Sequence, residues 1–299
     1  MLLSARSGFG ARALPEPSAS LRYRPSRNRG RCAVAARSAA EGLSAIIVGG
    51  SSGMGKGAAK EVVRRGGRVL IASRSLTKLE RAAEEISLEA QGGGAVSFAA
   101  LDNTDEAQVR EFFANLDKPY DALVVSAADK ALHGPFLELP PEDVQRFFLS
   151  KYWGAYYCAH YGGKVLQDDG SITFFSGVLN RRPGLNCSPL AAINGAVEGL
   201  TRSLALELGP KLRVNCFSPG FMNTERFDHM DEEKREAMLA NTASSLPLGR
   251  VGTPDDAGEA LYFLMTNKFT TGIVLDCDGG HQIRQYAQAT SDPFRASKQ

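Results

Sequence analysis

The chain has 299 residues, 43% hydrophobic and 23% charged, with a net charge of +2 and five cysteines. That is material for one large α/β domain or two smaller ones, and no run approaches the roughly 18 consecutive apolar residues of a membrane span. Cys32, Cys158, Cys187, Cys216 and Cys277 form no Cys-x-x-Cys pair, so neither a zinc site nor a redox dithiol is expected.

Residues 1–40 stand apart, with eight arginines, no lysine and one acid, Glu16. Arg-rich, Ser-rich, acid-poor text is the composition of an organelle transit peptide, with small residues for a processing protease around Ala33 to Ala36. A disordered basic arm on nucleic acid is the competing reading. The segment's net +7, taken from +2 for the whole chain, leaves −5 for the remainder. A mildly acidic body gives no reason to expect DNA or RNA as the partner, since a basic stripe is the electrostatic footprint of nucleic-acid binding. The expected destination is the chloroplast stroma, with the mitochondrion as the alternative. Residues 41–285 are expected to form the folded domain and 286–299 a polar tail.

From Leu43 onward, β-branched runs alternate with longer amphipathic segments, the pattern of βαβ units. Strands are predicted at 44–48, 68–72, 95–100, 121–126, 171–175, 212–217 and 272–276, with helices in the gaps and breaks at Gly66-Gly67, Gly92 to Gly94, Pro119 and Pro140-Pro141. This predicts an α/β fold, a Rossmann-type doubly wound parallel sheet of seven strands in one domain.

After the first strand comes "VGGSSGMGKG", in which Gly49, Gly50, Gly53 and Gly55 precede a helix opening near Met54. Glycines let the backbone turn tightly and approach a pyrophosphate, and the helix N-terminus offers its free N–H groups to the charge. The second strand ends in Ser73-Arg74 where an acid would hold a ribose 2′-hydroxyl; a guanidinium suits a 2′-phosphate, so NADP(H) is expected rather than NAD(H). The third strand runs into Asp102-Asn103, a carboxylate placed for an adenine amino group.

With these motifs the chain resembles the short-chain dehydrogenase/reductase family from about residue 43 to 282. The family's Gly-x-x-x-Gly-x-Gly corresponds to Gly49, Gly53 and Gly55, its adenine-contacting aspartate to Asp102, and its Pro-Gly with a following threonine to Pro219, Gly220 and Thr224. "TGIVLDCDGG" resembles its last strand and turn. The resemblance implies a sheet order of 3-2-1-4-5-6-7, a homodimer or homotetramer, and cofactor contacts from Gly49, Ser51, Ser52, Gly53, Met54, Gly55, Ser73, Arg74, Asp102, Asn103, Ser126, Ala127, Pro219, Gly220 and Thr224.

The resemblance also implies a tetrad for carbonyl reduction: a tyrosine acid, a lysine that lowers its pKa, a serine that holds the substrate oxygen, and an asparagine for a water relay. Here the asparagine place holds Lys151 and the serine place Gly177, with Ser176 one residue early. The tyrosine place holds Leu190 and the lysine place Asn194. No Tyr-x-x-x-Lys occurs anywhere in the chain, and the one Tyr-x6-Lys, Tyr157 with Lys164, precedes the fifth strand. Lys151, Ser176 and Asn194 are the polar candidates for chemistry, Arg181 and Arg182 candidates for an anionic substrate, Cys187 a thiol bordering the pocket, and 222–246 a helical lid. Two readings stand: an NADP(H)-dependent oxidoreductase acting on an unknown small molecule through a non-standard active site, and a pseudo-dehydrogenase serving as structural subunit, assembly factor or NADP(H)-state sensor of a plastid complex.

Overall fold

In the computed structural model the β-branched runs pair into one parallel sheet: β1 (Ser44–Val48), β2 (Arg68–Ser73), β3 (Ala95–Ala100), β4 (Tyr120–Val125), β5 (Leu166–Phe175), β6 (Leu212–Pro219) and β7 (Val274–Cys277), in spatial order 3-2-1-4-5-6-7. The structure describes residues 42–90, 93–116 and 119–283. The expected transit segment and C-terminal tail lie outside them.

Helices cover both faces: α1 (Gly53–Arg64), α2 (Leu76–Ser87), α3 (Glu106–Ala114), α4 (Pro141–Phe148), α5 (Gly154–Gly162), α6 (Ser188–Leu208), α7 (Glu232–Ser245) and α8 (Pro254–Thr266). Double coverage is why β1 is buried at every residue and reads as an unbroken apolar run rather than an alternating one. One core cluster joins α1, α2 and α8 to one face through residues such as Val62, Ile71 and Leu261; the other joins α3, α5 and α6 to the opposite face through Phe113, Phe174 and Ile193. Because β1 lies between β2 and β4, successive connections leave it in opposite directions and open a crevice at the strand C-termini, where ligands bind in such sheets.

Three departures from the predicted elements bear on the site. β5 begins at Leu166 instead of 171, with a register shift against β4 between Tyr120 and Ala122 and with Asp169 at φ 67. β6 continues through Pro219, carrying the Pro-Gly pair to the strand end. The gap expected to be helical between the fourth and fifth strands holds α4 and α5 joined by a wider π-turn over Leu149–Trp153, which contains Lys151; such turns recur at functional sites. Helix α6 buries Ile193, Asn194, Val197, Glu198 and Thr201 on one stripe, so polar residues lie on its core face. Among the described residues no helix is long and apolar enough to cross a membrane.

Candidate active site

The glycine-rich turn after β1 is shaped by contacts that tolerate no side chain. A Cβ on Gly49, whose φ is +94, would lie 2.5 Å from the Ala127 nitrogen, and one on Gly55 would lie 2.3 Å from the Gly49 carbonyl oxygen. Ser126 Oγ donates to the Val48 carbonyl at 3.1 Å and ties the end of β4 to this turn. Ser52 precedes α1 without a side-chain capping bond, and Gly53 N–H donates to the Glu225 carboxylate at 2.7 Å. Ser51 is half-buried and Met54 packs on the first core cluster.

At the end of β2, Arg74 Nη2 lies 2.7 Å from Asp129 Oδ1, and the enclosed Ser73 hydroxyl has no hydrogen-bond partner among the described residues. Asp102 Oδ1 accepts from Thr104 N–H at 2.9 Å and from its hydroxyl at 2.8 Å. Asn103 is committed elsewhere: its buried amide donates to the Ser150 carbonyl at 2.9 Å and bears against Gly154, so the side chain is a strut under the π-turn. Gly220 presses on Asp278, and buried Thr224 lies 3.5 Å from where a Gly53 Cβ would be. A tightly packed glycine turn leading into a helix N-terminus, a guanidinium and an orphaned hydroxyl fit a phosphate-bearing dinucleotide.

At the catalytic end Lys151 projects from the π-turn. Its ammonium donates to Asn194 Oδ1 at 2.7 Å and to the Ser176 carbonyl at 3.1 Å, while Asn194 Nδ2 donates to the Gly177 carbonyl at 3.2 Å. Burial lowers the Lys151 pKa to about 8; the Cys216 thiol opposes this shift and the Arg226 guanidinium adds to it. Relative to the arrangement implied by the resemblance, ammonium and carboxamide have changed places: the ammonium stands between α4 and α5, and the amide on α6. Leu190 packs half-buried against the second core cluster. A Cβ on Gly177 would come within 3.1 Å of Asn194 Nδ2, so glycine at the serine place and asparagine at the lysine place fit each other.

Ser176 presents its carbonyl, not its hydroxyl, to Lys151. The hydroxyl is buried and donates to Glu198 Oε1 at 3.0 Å. Glu198 also receives Arg181, which bonds Asp276, Ser218 Oγ at 2.8 Å and Gln282 Oε1 at 3.0 Å. Arg182 donates to the Gln282 carbonyl at 2.5 Å. Arg181 therefore ties the β5–α6 loop to β7 and, with Arg182, to Gln282 beyond it. Glu198 is legible one helical turn after Asn194, but nothing in its local text distinguishes a core carboxylate from a solvated one.

The β5–α6 loop and the start of α6 enclose a hollow of about 310 Å³ lined by Phe136, Pro183, Leu185, Asn186, Cys187 and Ala191. Cys187 Sγ is 3.3 Å from His133 Nδ1. Burial pushes the thiol up, while burial and the Arg226 charge push the imidazole down, which keeps both neutral rather than forming a reactive thiolate. The segment predicted as a lid contains a turn at Glu225–Phe227 and α7, with Phe227 stacked on Phe221 at 5.3 Å. Lys164 lies over the Tyr161 ring at the opposite end of α5 from Lys151, so Tyr157 and Lys164 contribute nothing here. Among the described residues no cluster of His, Cys, Asp and Glu could hold a metal.

Residues 48–282 match the family model described as Enoyl-(Acyl carrier protein) reductase. The chain is similar to the short-chain dehydrogenase/reductase ATR9 of Stachybotrys chlorohalonatus, at 31% identity over 80% of this chain and 96% of that protein. It is also similar to a 3-oxoacyl-[acyl-carrier-protein] reductase of Mus musculus, at 29% identity over 79% of this chain and 97% of the relative. Among solved structures, a small-chain dehydrogenase in complex with NADPH superposes with a TM-score of 0.67 at 33% identity, covering 81% of this chain and 99% of that one.

Proposed function

This chain belongs to the short-chain dehydrogenase/reductase family, and from that premise we propose that it is an NADP(H)-dependent oxidoreductase in which Lys151 takes the part of proton donor. The observation that carries the reading is the 2.7 Å bond between Lys151 and Asn194, which holds an ammonium at the catalytic end of the sheet. NADPH, when bound, supplies the hydride. Gly49, Gly53, Gly55 and the opening of α1 would hold its pyrophosphate, Ser73 and Arg74 its 2′-phosphate, Asp102 its adenine, and Pro219, Gly220 and Thr224 its nicotinamide end.

The chain's own part is the proton. With a pKa of about 8, Lys151 is mostly charged at neutral pH and close enough to that pH to give up its proton readily. Of the three N–H donors of an ammonium, Asn194 and the Ser176 carbonyl take two, leaving one for a substrate oxygen. Asn194 is a positioning residue: its amide is tied to Gly177 and fixes where the ammonium sits. The names of the family model and of the mouse relative favour carbonyl and enoyl compounds, acyl thioesters among them, as the first substrates to screen. The test is NADPH oxidation across such a panel by wild type and by Lys151→Gln; equal rates in the two proteins would remove Lys151 from the chemistry.

A specific observation favours the second reading, a pseudo-dehydrogenase that binds NADP(H) as a subunit or sensor: Leu190, in the tyrosine place, is an apolar residue packed on the core. NADPH binding without turnover on any member of the panel decides for that reading. Plastid import by residues 1–40 and assembly as a homodimer or homotetramer complete the proposal. A fluorescent fusion of those residues and light scattering of the purified chain test them.

A further inference from the structure

Two carboxylates of this chain sit on the two groups that the reading above gives to phosphates. Glu225, beside Thr224 in the lid segment, places Oε2 at 2.7 Å from Gly53 N–H and Oε1 at 2.6 Å from Lys56 Nζ, at the opening of α1. Asp129, just past β4, places Oδ1 at 2.7 Å from Arg74 Nη2. A carboxylate and a phosphate make the same demand on such donors, a short charge-assisted hydrogen bond to a negative oxygen. Glu225, with one oxygen on a first-turn amide and the other on a lysine, has the geometry of an anion bound at a helix N-terminus. Burial would raise its pKa, but Lys56 and the Gly53 amide hold the carboxyl below its ordinary range, so it is charged at neutral pH. Lys56 also carries Glu85 at 2.6 Å, so it keeps one partner if Glu225 leaves.

We infer that Glu225 and Asp129 are resident competitors for the cofactor's phosphates, Glu225 at the pyrophosphate point and Asp129 at the 2′-phosphate point. Nucleotide binding is then an exchange of anions, and the two carboxylates set different things. Glu225 opposes every dinucleotide, because the pyrophosphate is common to NADPH and NADH. Asp129 opposes NADPH alone, because NADH has no 2′-phosphate, and so it narrows the preference that Arg74 creates. Glu225 also belongs to the segment leading into α7, so its displacement frees that segment from its bond to α1. The inference rests on the NADP(H) reading.

The experiment is calorimetric titration of the full chain with NADPH and with NADH, for wild type, Glu225→Gln and Asp129→Asn. Glu225→Gln keeps the shape and removes the charge; it is expected to tighten both nucleotides by about tenfold. Asp129→Asn removes an exposed ion pair and is expected to tighten NADPH by about two- to fivefold while leaving NADH unchanged. If either ion pair is only a structural clasp, its loss leaves affinity unchanged or weakens both nucleotides. NADPH binding by wild type that neither variant tightens therefore overturns this inference alone. Absence of NADPH and NADH binding in all three folded proteins overturns the NADP(H) reading and the inference with it. If the glutamine variant does not fold, Glu225→Ala, which removes the charge and the acceptor together, takes its place with the same expected tightening.

Discussion

The nucleotide end and the catalytic end share one sheet but are built from different material. At the first, the shape is set by backbone: a Cβ on Gly49 or Gly55 would meet main-chain atoms at 2.5 and 2.3 Å. At the second, two side-chain ends meet, the Lys151 ammonium and the Asn194 amide 2.7 Å apart, each also held by a backbone carbonyl. Function written in backbone shape leaves little room for substitution, whereas function written in side-chain ends can be redistributed among neighbouring elements.

The contrast is broken most directly at Lys151. Lys151→Gln is expected to lower kcat of carbonyl reduction by about 10² to 10⁴, the usual worth of a positioned acid, with NADPH affinity unchanged by calorimetry. In wild type, kcat/KM for reduction should fall as pH rises through about 8, because the neutral amine has no proton to donate. That descending limb should be missing from the variant's profile. Next in size is Arg74→Ala: losing a charge-assisted contact of about 1.5–3 kcal/mol weakens NADPH by about 10- to 100-fold, and a parallel NADH titration should stay within about twofold. Gly55→Ala drives a methyl into the Gly49 carbonyl, and overpacking of about 1–3 kcal/mol should show as a lower thermal midpoint with weaker binding of both nucleotides. Smallest is Cys187→Ala. Burial pushes the Cys187 thiol up, away from the reactive thiolate, so steady-state rates should remain within about twofold of wild type; a larger fall would bring Cys187 into the mechanism.

Periodicity and glycine spacing make most of the fold legible. The seven strands, the turn after β1 and Pro219-Gly220 at the end of β6 all follow from local text. The start of β5 is not legible, because pairing of Leu166 with Tyr120 across a register shift is decided by the neighbouring strand. The π-turn at Leu149–Trp153 escapes for a similar reason: its residues have ordinary helical propensities, and the wider turn becomes visible only in three dimensions. Within the site, Lys151 and Asn194 can be named from the sequence, but not their bond. Ser176 reads as a candidate hydroxyl, yet a serine at a strand end can turn either way, and here buried Glu198 accepts its hydrogen bond. Asp129 and Glu225 carry no signal, since acids in loops are common and only the fold brings them to Arg74 and Gly53.

The close fit of Gly177 against Asn194 bears on how this site could change again. A serine introduced at 177 meets the Asn194 amide at 3.1 Å, and replacing Asn194 by lysine would set a second ammonium beside Lys151. These two single steps toward the tyrosine-based arrangement are therefore each opposed by a neighbour that suits the present one. The two positions are thus coupled: a change at either one alone disturbs the contact that the other makes.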